Sequence, residues 1–324
     1  MPDTRPHRRP ASRGELVLAF AAVYVLWGST YLAIRIGVET IPPFLLAGVR
    51  HLTAGLILLG WLRLRGTPWP ERRHWRAAAI IGGLMLLGGN GLVTWAEQRV
   101  PSGLAALIVA SVPLWMTLLD GIQQRERPHG VVILGLAIGL AGLGFLVAPG
   151  NFAGGTHVDP LGAAALLAAA LFWAIGSLYS RRAKLPSSTL LATAMEMIAG
   201  GAILLCTSAL LREWRGFSLS AVSTASLLSL GYLIVAGSLL GFTAYIFLLG
   251  ATTPARVSTY AYVNPVVAVL LGWAILGEAV TPRTLIAAAV IVASVALIIR
   301  HGSRRSVARI EENIAPLRAE GGRR

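Results

Sequence analysis

Residues 258–265 read Ser-Thr-Tyr-Ala-Tyr-Val-Asn-Pro. They lie near the start of an apolar run, 254–276, that is long enough to be a membrane helix. Proline inside such a helix removes a backbone donor and clashes with the carbonyl four residues earlier. In lipid the freed groups must find partners or line a cavity. Two hydroxyls, two phenols and a carboxamide crowd the same two turns. A second stretch of this kind is Leu-Ile-Val-Ala-Ser-Val-Pro at 107–113, inside the apolar run 101–122. The pair predicts helix breaks at Pro113 and Pro265, facing one another. Interrupted apolar segments at corresponding places in two halves are the sequence sign of a midplane binding site.

The composition fits a membrane setting. Of 324 residues, 55% are hydrophobic and 13% charged, against ~45–50% and ~25% in soluble domains. Ten apolar segments follow one another: 16–36, 43–62, 75–96, 101–122, 131–148, 160–180, 187–211, 227–249, 254–276 and 281–299. Most approach the ~20 residues that cross ~30 Å of hydrocarbon. The first is a full span with no small-residue cleavage site after it, and so reads as a retained helix behind a cytoplasmic tail. Cys206 is the sole cysteine, so the chain has no internal disulfide.

The net charge of +14 invites a nucleic-acid reading, but the positions of the charges oppose it. With the N-terminus inside, 22 of the 28 basic residues fall on the inner side, four outside, and Arg35 and Arg50 within spans. Basic residues accumulate on the cytoplasmic side of membrane proteins. Both termini are therefore expected in the cytoplasm, with the basic segments against the anionic leaflet and no nucleic-acid partner.

The two halves match. An offset of 146 carries Trp27 to Trp173, Tyr31 to Ser177, Arg35 to Arg181, Arg50 to Glu196 and Gly55 to Gly201. An offset of 153 carries Leu87 and Gly88 to Leu240 and Gly241, Asn90 to Thr243 and Pro101 to Pro254. An offset of 152 carries Pro113 to Pro265 and Glu126 to Glu278. Each unit holds five spans, an odd number, so the second must enter the membrane upside down relative to the first. The expected fold class is an all-α polytopic membrane protein of ten transmembrane helices in two inverted-topology repeats. Its organisation is a basic tail 1–14, a first repeat 15–148, a linker 149–159, a second repeat 160–300 and a basic tail 301–324. Small residues fill the fifth and tenth spans, including Gly135, Gly139 and Ala293; packing within the chain is preferred there over a dimer seam.

The spans carry the motifs Leu-Trp-Gly-Ser-Thr-Tyr (26–31), Arg-Ile-Gly-Val-Glu (35–39), Ala-Gly-Val-Arg (47–50), Gly-Asn-Gly-Leu-Val-Thr (89–94), Val-Pro-Ser-Gly (100–103) and Tyr-Ala-Tyr-Val-Asn-Pro-Val-Val-Ala-Val-Leu-Leu-Gly (260–272). Together they resemble the EamA family of the drug/metabolite transporter superfamily, nearest its YedA-like exporters. The resemblance covers about 16–299 and implies a ten-helix inner-membrane carrier exporting small organic molecules such as amino acids, other metabolites and cationic drugs. It further implies a central cavity enclosed by the first, third, fourth, sixth, eighth and ninth helices.

Helical spacing then selects faces on those six helices. The candidate cavity residues are Trp27 and Tyr31, Asn90 and Thr94, Ser111 and Trp115, Trp173 and Ser177, Thr243, and Tyr260 and Asn264. Turned to lipid, their polar groups would cost several kcal/mol, so they are expected to face inward. The same residue types also bind neighbouring helices or sit in interfacial belts. Asn264 has no mate in the first repeat, where Val112 stands, which makes it the favoured recognition group. Intramembrane charges are functional candidates: Arg50 and Glu196 either pair near the midplane or each serve their own repeat. Glu196 is a candidate proton-coupling carboxylate, with a structural charge as its alternative. Asp120 and Arg35 are expected to snorkel to the interface, Glu126 and Glu278 to be solvated loop acids or gate latches, and His51 to be packed or hydrogen-bonded.

The sequence holds no nucleotide-binding loop, metal cluster or nucleophile elbow, so no catalytic residue, metal or cofactor is assigned. The expected partners are a small-molecule substrate, the lipid bilayer and protons as a candidate coupling ion, with the protein a monomer or a homodimer. The rival classes are an intramembrane enzyme and a channel. A carrier working by alternating access fits the paired broken segments better than either.

Overall fold

The computed structural model describes residues 12–124, 130–147, 158–252, 254–257 and 259–297. Both basic tails, the loop with Arg125, Glu126 and Arg127, and most of the linker lie outside the described residues. Helix α1 is Arg13–Gly37, α2 Pro43–Leu64, α3 Arg72–Ala96, α5 Gly130–Val147, α6 Pro160–Ser180 and α7 Thr189–Leu210. Helix α4 has two parts, Ser102–Val109 and Val112–Gln124. Helix α8 runs as Thr224–Tyr232, a π-helical Leu233–Leu240 and Gly241–Ala251. After a short turn at Pro254–Val257 come α9, Tyr260–Leu276, and α10, Pro282–Leu297. Among the described residues eight helices, α1 to α8, are long and apolar enough to cross a membrane, and α9 and α10 are shorter apolar helices.

Local chemistry fixes the helix ends. Ser12 and Glu15 form a capping box at the start of α1, satisfying two backbone donors that a helix leaves unpaired. Pro43 and Pro160 occupy first-turn positions, where a missing N–H costs nothing. Gly277 closes α9 in the left-handed region at φ 66°, a conformation glycine adopts without steric penalty.

The two prolines do not break their helices where expected. The interruption in α4 falls at Ala110 and Ser111, and Pro113 is the second residue of the following part. Proline is tolerated in a first turn, so it marks a restart. Pro265 sits inside a continuous α9, and the interruption precedes that helix, around Thr259. Among the described residues, the run 254–276 holds one helical turn, Pro254–Val257, followed by α9. A different irregularity recurs in both halves: α3 is π-helical over Gly82–Gly91 and α8 over Leu233–Leu240. The offset of 153 lays these stretches partly over one another. Wide turns of this kind accompany functional sites, and here they re-aim glycine-rich backbone toward neighbouring helices.

Packing sets α1, α3, α4, α6, α8 and α9 in succession: α8 and α9 lie against α1, α4 against α1, α9 and α6, and α6 against α3. Helices α2 and α7 cross outside them at glycines. A Cβ on Gly55 would come within 2.8 Å of the Ile198 nitrogen, and one on Gly201 within 2.5 Å of the Leu52 nitrogen. These two glycines are matched by the offset of 146, so the contact is reciprocal. Helix α5 packs on α10, with Gly139 against Ser294 and Gly142 against Val290. Those small residues serve contacts within the chain. The largest apolar cluster joins α3, α4, α5, α6 and α10 through Val93, Leu104, Leu107, Leu143, Leu166 and Ile291.

One end of the bundle, called distal here, is where α1 finishes. Helices α3, α7 and α9 also finish there, and α2, α4, α6 and α8 begin there. Contacts that fix this include Ser226 to the Ile36 carbonyl, and Gly162 against Val100.

Candidate substrate site

Trp27 is the centre of an aromatic box made by three helices. Its ring lies 5.4 Å from Phe242, 5.1 Å from Tyr245 and 5.1 Å from Tyr260. Tyr245 and Tyr260 close the far side at 6.0 Å, nearly perpendicular to one another. Such tilted and edge-on pairs each contribute ~0.5–1.5 kcal/mol beyond burial. The π-helical stretch of α8 makes room for the indole. Its nitrogen donates to the Gly237 carbonyl at 3.2 Å, and a Cβ on Gly241 would collide with the same indole nitrogen. Trp27 and Tyr260 were selected from helical spacing and are brought together. Phe242 and Tyr245 were missed, although they lie three residues apart and so share a face of α8.

The other candidates divide. Trp173 packs on Gly89, beside the half-buried Asn90, at the seam of α3 and α6. Thr94 returns its hydroxyl to the Asn90 carbonyl at 2.7 Å. On α4, at the helix interruption, the Ser111 hydroxyl and the Trp115 indole N–H are both buried with no hydrogen-bond partner. Unsatisfied buried donors cost about 1–3 kcal/mol each, so this pair is a polar feature in need of a partner. Tyr31 packs on the large apolar cluster, and Ser177 uses its carbonyl to accept from Ser180.

Two candidates differ from the inward-facing expectation. Thr243 is exposed, its hydroxyl bonded to the Leu239 carbonyl of its own helix at 2.7 Å. A back-bonded threonine needs no partner outside its own helix. Asn264 is buried in the seam between α9 and α1. With its amide nitrogen turned toward them, it donates to the Tyr260 and Tyr24 carbonyls, each at 3.3 Å. Nearby, the Tyr24 and Thr259 hydroxyls bond to each other across the same seam.

The charges form a pattern at the distal end that the sequence left unread. Glu278 is no free loop acid: its carboxylate accepts from the Ser102 N–H at 2.7 Å and the Gly103 N–H at 3.0 Å, gripping the start of α4. Glu213 grips the start of α2 likewise, through the Phe44 and Leu45 N–H groups at 3.3 and 3.0 Å, and takes a third bond from Ser208. Carboxylates are favoured at helix N-termini, where backbone donors lack partners. Arg283 holds the Phe145 carbonyl. Arg35, half-buried, donates to the Glu97 carbonyl just past the end of α3, at 2.7 Å. At the opposite end of the bundle, Asp120 lies 3.9 Å from Arg181.

Arg50 and Glu196 form no ion pair among the described residues. Arg50 is 6% exposed and donates from Nε to the Ser238 hydroxyl at 3.0 Å. The acid whose charge it feels is Glu97. His51 is packed, with neither ring nitrogen partnered. Glu97 is the residue that the sequence reading missed outright. It sits at the end of an apolar run beside Gln98 and Arg99, like an ordinary loop acid, yet it is 0% exposed.

The profile of the EamA-like transporter family matches twice, over residues 14–148 and 160–300. The chain belongs to the EamA-like transporter family. It is 45% identical over 285 residues to the uncharacterized inner membrane transporter YedA of Escherichia coli K12, spanning 86% of this chain and 89% of YedA. It is 26% identical to a probable amino-acid metabolite efflux pump of the same organism, over 83% of this chain and 89% of the pump. A crystal structure 24% identical in sequence shares the fold with a TM-score of 0.61, over 90% of this chain and 99% of that one. The protein is therefore a membrane transporter and not an enzyme.

Proposed function

We propose that the protein is a secondary or facilitative carrier that exports small organic metabolites of amino-acid-like or drug-like character by alternating access. The observation that carries this reading is the aromatic box, built from both repeats: Trp27 from the first, Phe242, Tyr245 and Tyr260 from the second. Aromatic faces bind apolar, aromatic and cationic groups without demanding one hydrogen-bond pattern. The unpartnered Ser111 and Trp115 donors on α4 and the Asn90 and Trp173 seam would supply polar contacts farther along the pathway. Asn264 stays a pathway candidate through its place beside Tyr260, with the α1 seam as its first duty. The relative named as an amino-acid metabolite efflux pump supports the substrate class.

In this reading the chain crosses the inner membrane ten times, as two inverted five-helix repeats with both termini cytoplasmic. The opposed directions of α1 and α6, matched by the offset of 146, support the inversion. So do the reciprocal Gly55 and Gly201 contacts. The distal end is then the outer face. The backbone grips of Glu213 and Glu278 and the Arg35 bond fasten it shut, as expected of the form that loads from the cytoplasm. Alternation requires those grips to release. Efflux profiling of cells producing the protein against a Trp27→Ala control tests the site: released metabolites and drug tolerance should differ. Identical profiles would remove the aromatic box from the substrate pathway.

A further inference from the structure

Glu97 follows the last residue of α3, at the distal end. Its chain neighbours Ala96 and Val100 belong to the largest apolar cluster. The side chain is 0% exposed, and neither carboxylate oxygen has a hydrogen-bond partner. The charged and titratable groups facing it are Tyr31 and Arg35 from α1, Arg50 from α2, and Glu278 from the segment between α9 and α10. None forms an ion pair with it among the described residues. Arg35 turns its Nη1 to the backbone carbonyl of Glu97, and Arg50 turns its Nε to Ser238. Glu278 brings a negative charge that is itself held by the Ser102 and Gly103 N–H groups.

An ionised carboxylate in this place would be buried, unbonded and opposed by a second acid. The effective cost of burying such a charge is several kcal/mol. Opening the distal end would change every one of these conditions. Water would reach the carboxylate, Glu278 would part from the α4 start, and Arg35, already on the Glu97 backbone, would be free to turn to its side chain.

We propose that Glu97 is the proton-binding carboxyl of the distal closure, neutral while that end is shut and ionised when it opens. The step is a proton transfer alone. On closing, a hydronium ion or buffer acid at the distal face gives its proton to a Glu97 oxygen, and on opening the proton returns to water. This deepens the carrier reading, on which it rests, by naming the group that links the cycle to protons at the outer face. It also moves the proton site from Glu196, which lies on α7 away from the gripped helix ends.

The sign follows from the burial. Desolvation holds the Glu97 carboxyl above its ordinary value while the end is shut, with Glu278 adding to this and Arg35 and Arg50 opposing it. The shut form therefore binds more protons. Its advantage is complete below the ordinary carboxylate value of ~4.3, and is lost as pH rises toward the value in the shut form.

The test uses the full chain in lipid nanodiscs, with Cys206→Ser removing the sole native thiol. Val100→Cys places a thiol at a distal position that is 1% exposed, and Arg99→Cys gives an exposed control beside it. The readout is the ratio of their labelling rates with a membrane-impermeant maleimide, which cancels the pH dependence of the thiol itself. With Glu97 present, the ratio should rise with pH by up to about tenfold per pH unit within the window. Glu97→Gln should hold the ratio low and flat, and Glu97→Asp should restore the rise. A Glu97→Gln ratio that rises as in the parent, or a parent ratio independent of pH, overturns the proposal. Should Glu97→Gln not fold, infrared spectroscopy of the Cys206→Ser protein at neutral pH replaces it. A protonated-carboxyl band that shifts in Glu97→Asp is then expected, and its absence overturns the proposal. Neither measurement uses a substrate, so loss of transport with intact proton linkage would count against the carrier reading alone.

Discussion

Replacing Glu278 by glutamine keeps the size of the side chain and removes the charge that holds the start of α4. In the parent, two bonds of 2.7 and 3.0 Å reach the Ser102 and Gly103 N–H groups. A hydrogen bond to a charged group is worth ~1.5–3 kcal/mol. Glutamine keeps one acceptor oxygen and turns an NH2 toward the other N–H, so about one full charged bond is lost and one donor stays unsatisfied. Glu278 is partly exposed, which favours the lower part of each range, ~1.5 kcal/mol for the bond and ~1.2 kcal/mol for the unsatisfied donor, so the loss comes to about 2.7 kcal/mol, or ~100-fold in the local opening constant. Hydrogen–deuterium exchange reads this directly. The peptide covering Ser102 and Gly103 should lose ~100-fold of its protection in Glu278→Gln, because amide exchange reports local opening. Glu213→Gln should deprotect the peptide covering Phe44 and Leu45 instead, since its bonds go there. Protection at Ser102 and Gly103 unchanged within about threefold would mean that the grip contributes little, the expectation for a solvent-screened surface contact.

Other outcomes follow from the packing. Gly55→Ala and Gly201→Ala each push a Cβ into the backbone of the partner helix. Each should destabilise the fold by ~1–3 kcal/mol, read as a lower thermal midpoint in detergent. The double variant should cost less than the two single losses added, because both act on one helix crossing. Thr243→Ala should change stability by no more than ~0.5 kcal/mol and leave transport intact, since the hydroxyl is exposed and bonded within its own helix. A marked transport defect in Thr243→Ala would return that residue to the pathway.

The sequence was informative wherever the bilayer imposes a period or a length. Apolar runs located the helices, and the offset of 146 paired Gly55 with Gly201, which the structure finds in reciprocal contact. The contact of Trp27 with Tyr260 was legible because each belongs to a polar and aromatic face that recurs at helical spacing and turns away from lipid. What the sequence hid was set by tertiary contact. Pro265 reads as a break, yet its helix continues through it and the interruption lies earlier, where the turn of Pro254–Val257 ends. The π-helical stretch of α8 has no compositional mark, so the slot for Trp27 between Gly237 and Gly241 was invisible. Glu278 read as a loop acid or gate latch and Glu213 went unread, because nothing local tells that their carboxylates meet the starts of α4 and α2. Glu97 was hidden for the same reason: the groups around it come from α1, α2 and the segment after α9, not from its own chain neighbours.

The central claim is that a solute bound in the aromatic box is carried across by alternating access. Counterflow in proteoliposomes tests it most directly, with a radiolabelled aromatic amino acid outside and the unlabelled compound preloaded inside. Saturable uptake that preloading stimulates is expected, reduced about two- to tenfold in Trp27→Ala, where the solute loses one aromatic contact worth ~0.5–1.5 kcal/mol. Uptake that rises linearly with concentration, ignores preloading and is the same in Trp27→Ala would contradict it.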